Sequence, residues 1–103
     1  MLYNVYYCFG ENVREKCNVG ELLFTNDRIY LNNKNKRIID FQLINVELIN
    51  HYGGYYIRLY SPVYILCFTV IKKSIFRIKY DYSSTQLLYN KIKDIYRIGV
   101  YRK

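Results

Sequence analysis

The chain has no tryptophan, no alanine, one proline (Pro62), one histidine (His51) and three cysteines in 103 residues. Missing alanine removes the strongest helix former and tilts the chain toward strands. Cys8, Cys17 and Cys67 are an odd number without a C-x-x-C pair, and a single histidine completes no ligand set. Neither a zinc site nor a disulfide framework is indicated, and no cofactor is expected. Cys8 and Cys67 read as small core hydrophobes. Long apolar runs are also missing: Pro62 to Ile71 is the longest, is interrupted by Thr69, and is far short of the roughly 20 residues of a spanning helix. The opening MLYNVYYCFGENVR has no basic n-region or small-residue cleavage site, so an intracellular location is the expectation. G-x-S-x-G, P-loop and H-E-x-x-H patterns are absent, and His51 stands beside the HYGG turn with no nucleophile in a motif. These absences argue against an enzyme.

What the chain does have is tyrosine, 14 residues of it, within a composition that is 51% hydrophobic and 23% charged. Apolar content of that size offsets ordering entropy, so residues 1–103 are expected to fold as one domain.

Acidic residues are scarce in one half only. Up to His51, six cations (Arg14, Lys16, Arg28, Lys34, Lys36, Arg37) face six anions (Glu11, Glu15, Glu21, Asp27, Asp40, Glu47). From Tyr52 onward ten cations meet only Asp81 and Asp94, so this half carries the whole net charge of +8. Such a one-sided field attracts anionic partners: lipid headgroups, an acidic protein face or nucleic acid.

Hydrophobic patterning predicts seven strands followed by one helix. Leu2 to Phe9 ends at Gly10. In GELLFTNDRIYLNN, Asn26-Asp27 supplies turn chemistry between two apolar runs, which predicts a hairpin. From Arg37 to Ile49 the alternation through Ile39, Phe41 and Leu43 slips by one residue to Ile44, Val46 and Leu48, the mark of a bulge or sharp bend that carries one strand between two sheets. Tyr55 to Tyr60, Tyr64 to Ile71 and Ile75 to Tyr80 follow. In the last, Phe76, Ile78 and Tyr80 share one face, and Arg77 and Lys79 the other, toward solvent. Ser83-Ser84-Thr85-Gln86 fits a capping box, and Leu88, Ile92, Ile95 and Tyr96, with Leu87 beside them, form one apolar stripe that Gly99 closes.

Gly20, Leu22, Thr25, Arg28, Ile29 and Leu31 fit G-x-L-x-x-T-x-x-R-[LI]-x-[FL], a pattern that resembles the second and third strands of GRAM and bacterial PH-like domains. With RIIDFQLINVELI and the closing helix, the resemblance to the pleckstrin-homology-like superfold spans nearly the whole chain. It implies a mainly β protein: seven strands in bent antiparallel sheets forming a partly open barrel, capped by the C-terminal amphipathic helix.

The resemblance also implies a binding module whose partner is a protein or an anionic phospholipid surface. In lipid-binding members, basic loops after the first, third and sixth strands form the headgroup cup. Carried onto this chain, those loops hold Arg14 and Lys16; Lys34, Lys36 and Arg37; and Lys72 and Lys73. Glu11 and Glu15 oppose a polyphosphate there, and YYCF stands where the family has a basic residue at the end of the first strand. A groove between the fifth strand and the helix, open to strand addition, is the protein-binding alternative. The remaining one is nucleic acid, with Arg58, Arg77 and Lys79 beside Tyr56, Tyr60 and Tyr80 as a stacking platform.

Overall fold

A computed structural model describes residues 1–10, 18–25, 28–32, 38–41, 44–51 and 54–96. Among the described residues eight strands precede one helix: β1 (Leu2–Phe9), β2 (Asn18–Phe24), β3 (Ile29–Asn32), β4 (Ile38–Phe41), β5 (Asn45–His51), β6 (Gly54–Tyr60), β7 (Ile65–Lys73), β8 (Ile78–Tyr80) and α1 (Tyr82–Tyr96). Seven of the strands form an antiparallel sheet in the order β4-β3-β2-β1-β7-β6-β5, and β8 pairs with the far end of β7. The mainly β class with one C-terminal helix is as expected. β4 and β5 lie at opposite ends of this path, yet only residues 42–44 separate them in the chain. Phe41 and Asn45 are thus at most about 14 Å apart. The sheet must curl until its ends approach, but β4 and β5 do not pair and no barrel closes.

That geometry redraws one sequence expectation. The segment Arg37 to Ile49 is not one bent strand but two, β4 on β3 and β5 on β6, divided where the alternation slips. The slip turns the chain from one end of the sheet to the other.

One face of the curled sheet makes the main core, where Val5, Leu22, Ile29, Leu31, Ile57, Leu59, Leu66 and Phe68 pack around Leu88 and Ile92 of α1. These strand residues keep the two-residue period of a face that is buried. Cys8 and Cys67, cross-strand partners, are buried with Tyr56 in a smaller cluster. The motif glycine has a steric role: a Cβ at Gly20 would lie 2.8 Å from Tyr7 Cε1 and 3.0 Å from the Asn32 carbonyl oxygen.

The helix starts two residues earlier than expected. Asp81, not Ser83, is the cap: its Oδ1 accepts from the Ser84 amide at 3.2 Å and its Oδ2 from the Ser84 hydroxyl at 2.7 Å. A carboxylate suits the positive end of the helix dipole better than a hydroxyl, and it outcompetes the downstream serines. Leu87 is 63% exposed rather than part of the stripe, because Thr85, Leu88 and Ile92 define the inward side. The side chains of Ile95 and Tyr96, and Gly99, lie outside the described residues.

Candidate functional site

Three turns in this fold are closed by one device. Thr25, Ser61 and Ser74 each accept a hydrogen bond through the hydroxyl from the amide three residues on, at 3.0, 2.9 and 3.1 Å. Each hydroxyl also donates to the carbonyl of that same residue, Arg28, Tyr64 or Arg77. The backbone amide of each donates there too. In the sequence, the two residues between the ends of each clasp are Asn26-Asp27, which lie outside the described residues, Pro62-Val63 and Ile75-Phe76. The first two pairs include residues that favour turns; Ile-Phe includes none.

Ile75 and Phe76 are 94% and 92% exposed at the tip of the β7–β8 hairpin. The strand expected from Ile75 to Tyr80 is therefore only Ile78–Tyr80, and Phe76 faces water rather than a sheet partner. The Ser74 clasp wins over the local alternation by turning the chain at residues 75–76. Around the tip stand Lys72, Lys73, Arg77 and Lys79, all exposed, with no carboxylate between residues 72 and 80. Lys72 and Lys79 are direct cross-strand partners. Like charges in that position repel.

The nearest anion is Asp81, whose Oδ2 lies 3.8 Å from Lys72 Nζ; the Lys72 side chain remains 74% exposed. Asp81 is held below the usual carboxylate range by the Ser84 hydroxyl first, then by the Ser84 amide and the Lys72 charge, against the opposing effect of burial. It serves the helix first, so the hairpin keeps a strong positive field.

Lys72 and Lys73 close β7, the strand expected as the sixth before the segment from 37 to 49 divided into two. The chain leaves β1 at Gly10, whose amide donates to the Ile65 carbonyl at the start of β7. Lys73 is eight residues further along β7, about 26 Å away. Segment 33–37 departs from β3, three strands across the sheet. The two lysines thus stand apart from the points where those segments leave the sheet, and they group instead with Arg77 and Lys79. Arg14, Lys16, Lys34, Lys36 and Arg37 lie outside the described residues.

The residues weighed as a stacking platform do not assemble. Arg58 Nη1 contacts Glu47 Oε1 at 3.1 Å and Tyr60 Oη at 3.2 Å, and Tyr60 donates to Glu47 at 2.6 Å. Burial, then the bond to Glu47, pushes the Tyr60 phenol above its usual value. Tyr56 is buried, and Tyr80 stacks on Tyr82 with ring centroids 5.3 Å apart. Arg77 and Lys79 belong to the hairpin.

A second feature lies beside α1. A cavity of about 440 Å³ is lined by Val46, Glu47, Leu48, Ile49, Arg58 and Tyr89, where β5 ends the sheet path. Among the described residues no group of three His, Cys, Asp or Glu side chains gathers into a metal site, and no helix is long and apolar enough to cross a membrane. Comparison with protein-family models, with curated proteins and with solved structures gives no match.

Sequence reading missed Ile75, Phe76, Arg77 and Lys79 as one unit because their alternation imitates a strand. The usable signal was the spacing S-x-x-R, the same as T-x-x-R at residues 25–28.

Proposed function

We propose that this chain is a non-enzymatic binding module of the pleckstrin-homology-like, GRAM type that docks on an anionic membrane surface through the β7–β8 hairpin. The observation that carries this reading is the cluster of four exposed cations on one hairpin with no carboxylate among them. A Lys or Arg near an anionic bilayer contributes about 1 kcal/mol, so four supply on the order of 4 kcal/mol. What stands beneath this reading is the coarser architecture, a mainly β chain whose C-terminal helix packs on β5, β6 and β7. On this reading the protein is intracellular and peripheral to the membrane.

A second reading, capture of a protein segment, is favoured by the cavity between β5 and Tyr89. An extended peptide there would pair with a strand and place side chains in the groove. The two sites are separate, and an adaptor would use both.

Flotation of the protein with neutral and with anionic vesicles, at low and physiological salt, tests the membrane reading. Binding that needs anionic lipid and survives physiological salt is expected. Binding lost at physiological salt, or displaced by a single-stranded oligonucleotide at stoichiometric amounts, points to a nonspecific field or to nucleic acid instead.

A further inference from the structure

The β7–β8 hairpin breaks two local rules at once. Its apex exposes two large apolar side chains that turn chemistry does not call for, and its strands set Lys72 directly opposite Lys79. A sequence keeps such conflicts where they serve a function, since each lowers stability in the free protein.

The arrangement is layered. The apolar pair stands at the tip, held there by the Ser74 clasp, with Arg77 next in the chain and Lys72, Lys73 and Lys79 behind it. Strands rise about 3.3 Å per residue, so the cations lie within three residues' rise, about 10 Å, of the tip. Lysine and arginine stems reach back along apolar surface while their heads stay with water and phosphate. A bilayer surface has the same order in reverse, anionic headgroups outside and acyl chains several ångströms below. An acidic protein face or a nucleic-acid duplex satisfies the cations but leaves Ile75 and Phe76 in water, and a single strand can stack a base on Phe76 but offers Ile75 no apolar layer.

We infer that Ile75 and Phe76 form a wedge that enters the acyl boundary of an anionic bilayer, while Lys72, Lys73, Arg77 and Lys79 hold the headgroups around it. This inference rests on the membrane reading above and adds the mode of contact. The short apolar tip is too small to anchor alone, and the cations alone are screened by salt. Together they give binding that needs anionic lipid yet resists physiological salt.

The chain lacks tryptophan, so Phe76→Trp makes a sole reporter at the tip. With anionic vesicles its emission should shift to the blue and be quenched by lipids brominated on the acyl chain. Ile75→Ser/Phe76→Ser should keep salt-sensitive adsorption at low ionic strength but lose about tenfold or more of the partition at physiological salt. Circular dichroism checks that both variants keep the fold, which they should, because the altered side chains stand in solvent. If the variant protein binds anionic vesicles while its tryptophan stays unshifted and unquenched, the wedge is wrong and the electrostatic reading stands. If wild-type protein fails to bind anionic vesicles even at low salt, both fall. Equal insertion into neutral vesicles would also overturn the inference, since it would leave the four cations without a role.

Discussion

The hydroxyl oxygens of Thr69 and Thr85 lie 3.1 Å apart in a fully buried position, and they join the sheet to the helix. Thr69 donates to the Tyr55 carbonyl at 3.0 Å, and Thr85 accepts from the Val70 amide at 3.0 Å. β7 pairs with β6 through residues 65–68 and with β8 through residues 71–73. At the handover its free amide would be unsatisfied without Thr85.

Thr85→Val should therefore cost about 1–3 kcal/mol, the penalty of stranding a buried donor. Thr85→Ser, which keeps the oxygen, should lose less. Urea denaturation of the two variants beside the wild type measures the difference; equal stabilities would mean that the hydroxyl is not needed there.

Asp81 predicts a pH dependence with a definite sign. Its folded carboxyl titrates below the ordinary carboxylate range, so its contribution is present above the unfolded value and is lost as pH falls through the lower folded value. Asp81→Asn should be less stable near neutrality and should flatten the acid limb below about pH 4. Stability curves that stay parallel at all pH values would contradict the assignment of Asp81 as the cap.

The orientation of α1 can be read from two adjacent leucines. Leu88 is buried in the main core, so Leu88→Ala should cost about 2–5 kcal/mol. Leu87 is exposed, and Leu87→Ala should stay within about 0.5 kcal/mol of the wild type. A reversed ranking in thermal melts would mean that the helix docks through another face.

Gly54 lies under the Tyr82 ring so closely that an added Cβ would overlap it. Gly54→Ala should be destabilising, and Gly54→Ala/Tyr82→Ala should lose less than the sum of the single changes, because the larger partner is gone. Strict additivity in a double-mutant cycle would separate the two residues.

Much of the fold was legible from the chain. The hairpin around Asn26-Asp27 followed from turn chemistry, and its Thr25 and Arg28 prove to be the ends of a hydroxyl clasp. The slip at Leu43-Ile44 marked the division between β4 and β5, though one sequence does not reveal that the halves sit at opposite ends of the sheet. Thr69 looked like a mere interruption of an apolar run; its partner Thr85 is 16 residues away, a pairing only tertiary structure creates. The capping residue was misplaced because Asp81 follows a strand-like alternation directly, and Ser83 fits the familiar spacing.

The candidate site was half visible. Lys72 and Lys73 were singled out by charge, but Ile75 was assigned to a strand, and Phe76 to the face of Ile78 and Tyr80, by alternation alone. A two-residue period cannot distinguish a strand from a clasped turn that happens to carry apolar residues. The Ser74 hydroxyl, a single atom, decides between them.

The central claim is that the hairpin cations bind an anionic membrane. The most direct measurement is the partition of wild-type protein and Lys72→Glu/Lys73→Glu onto anionic and neutral vesicles at physiological salt. The exposed Lys72–Asp81 contact adds little stability, so the variant should fold. Removing two cations alone predicts a loss of about thirtyfold on anionic vesicles, and charge reversal more, with weak binding of both proteins to neutral ones. Unchanged partition of the variant onto anionic vesicles would contradict the account.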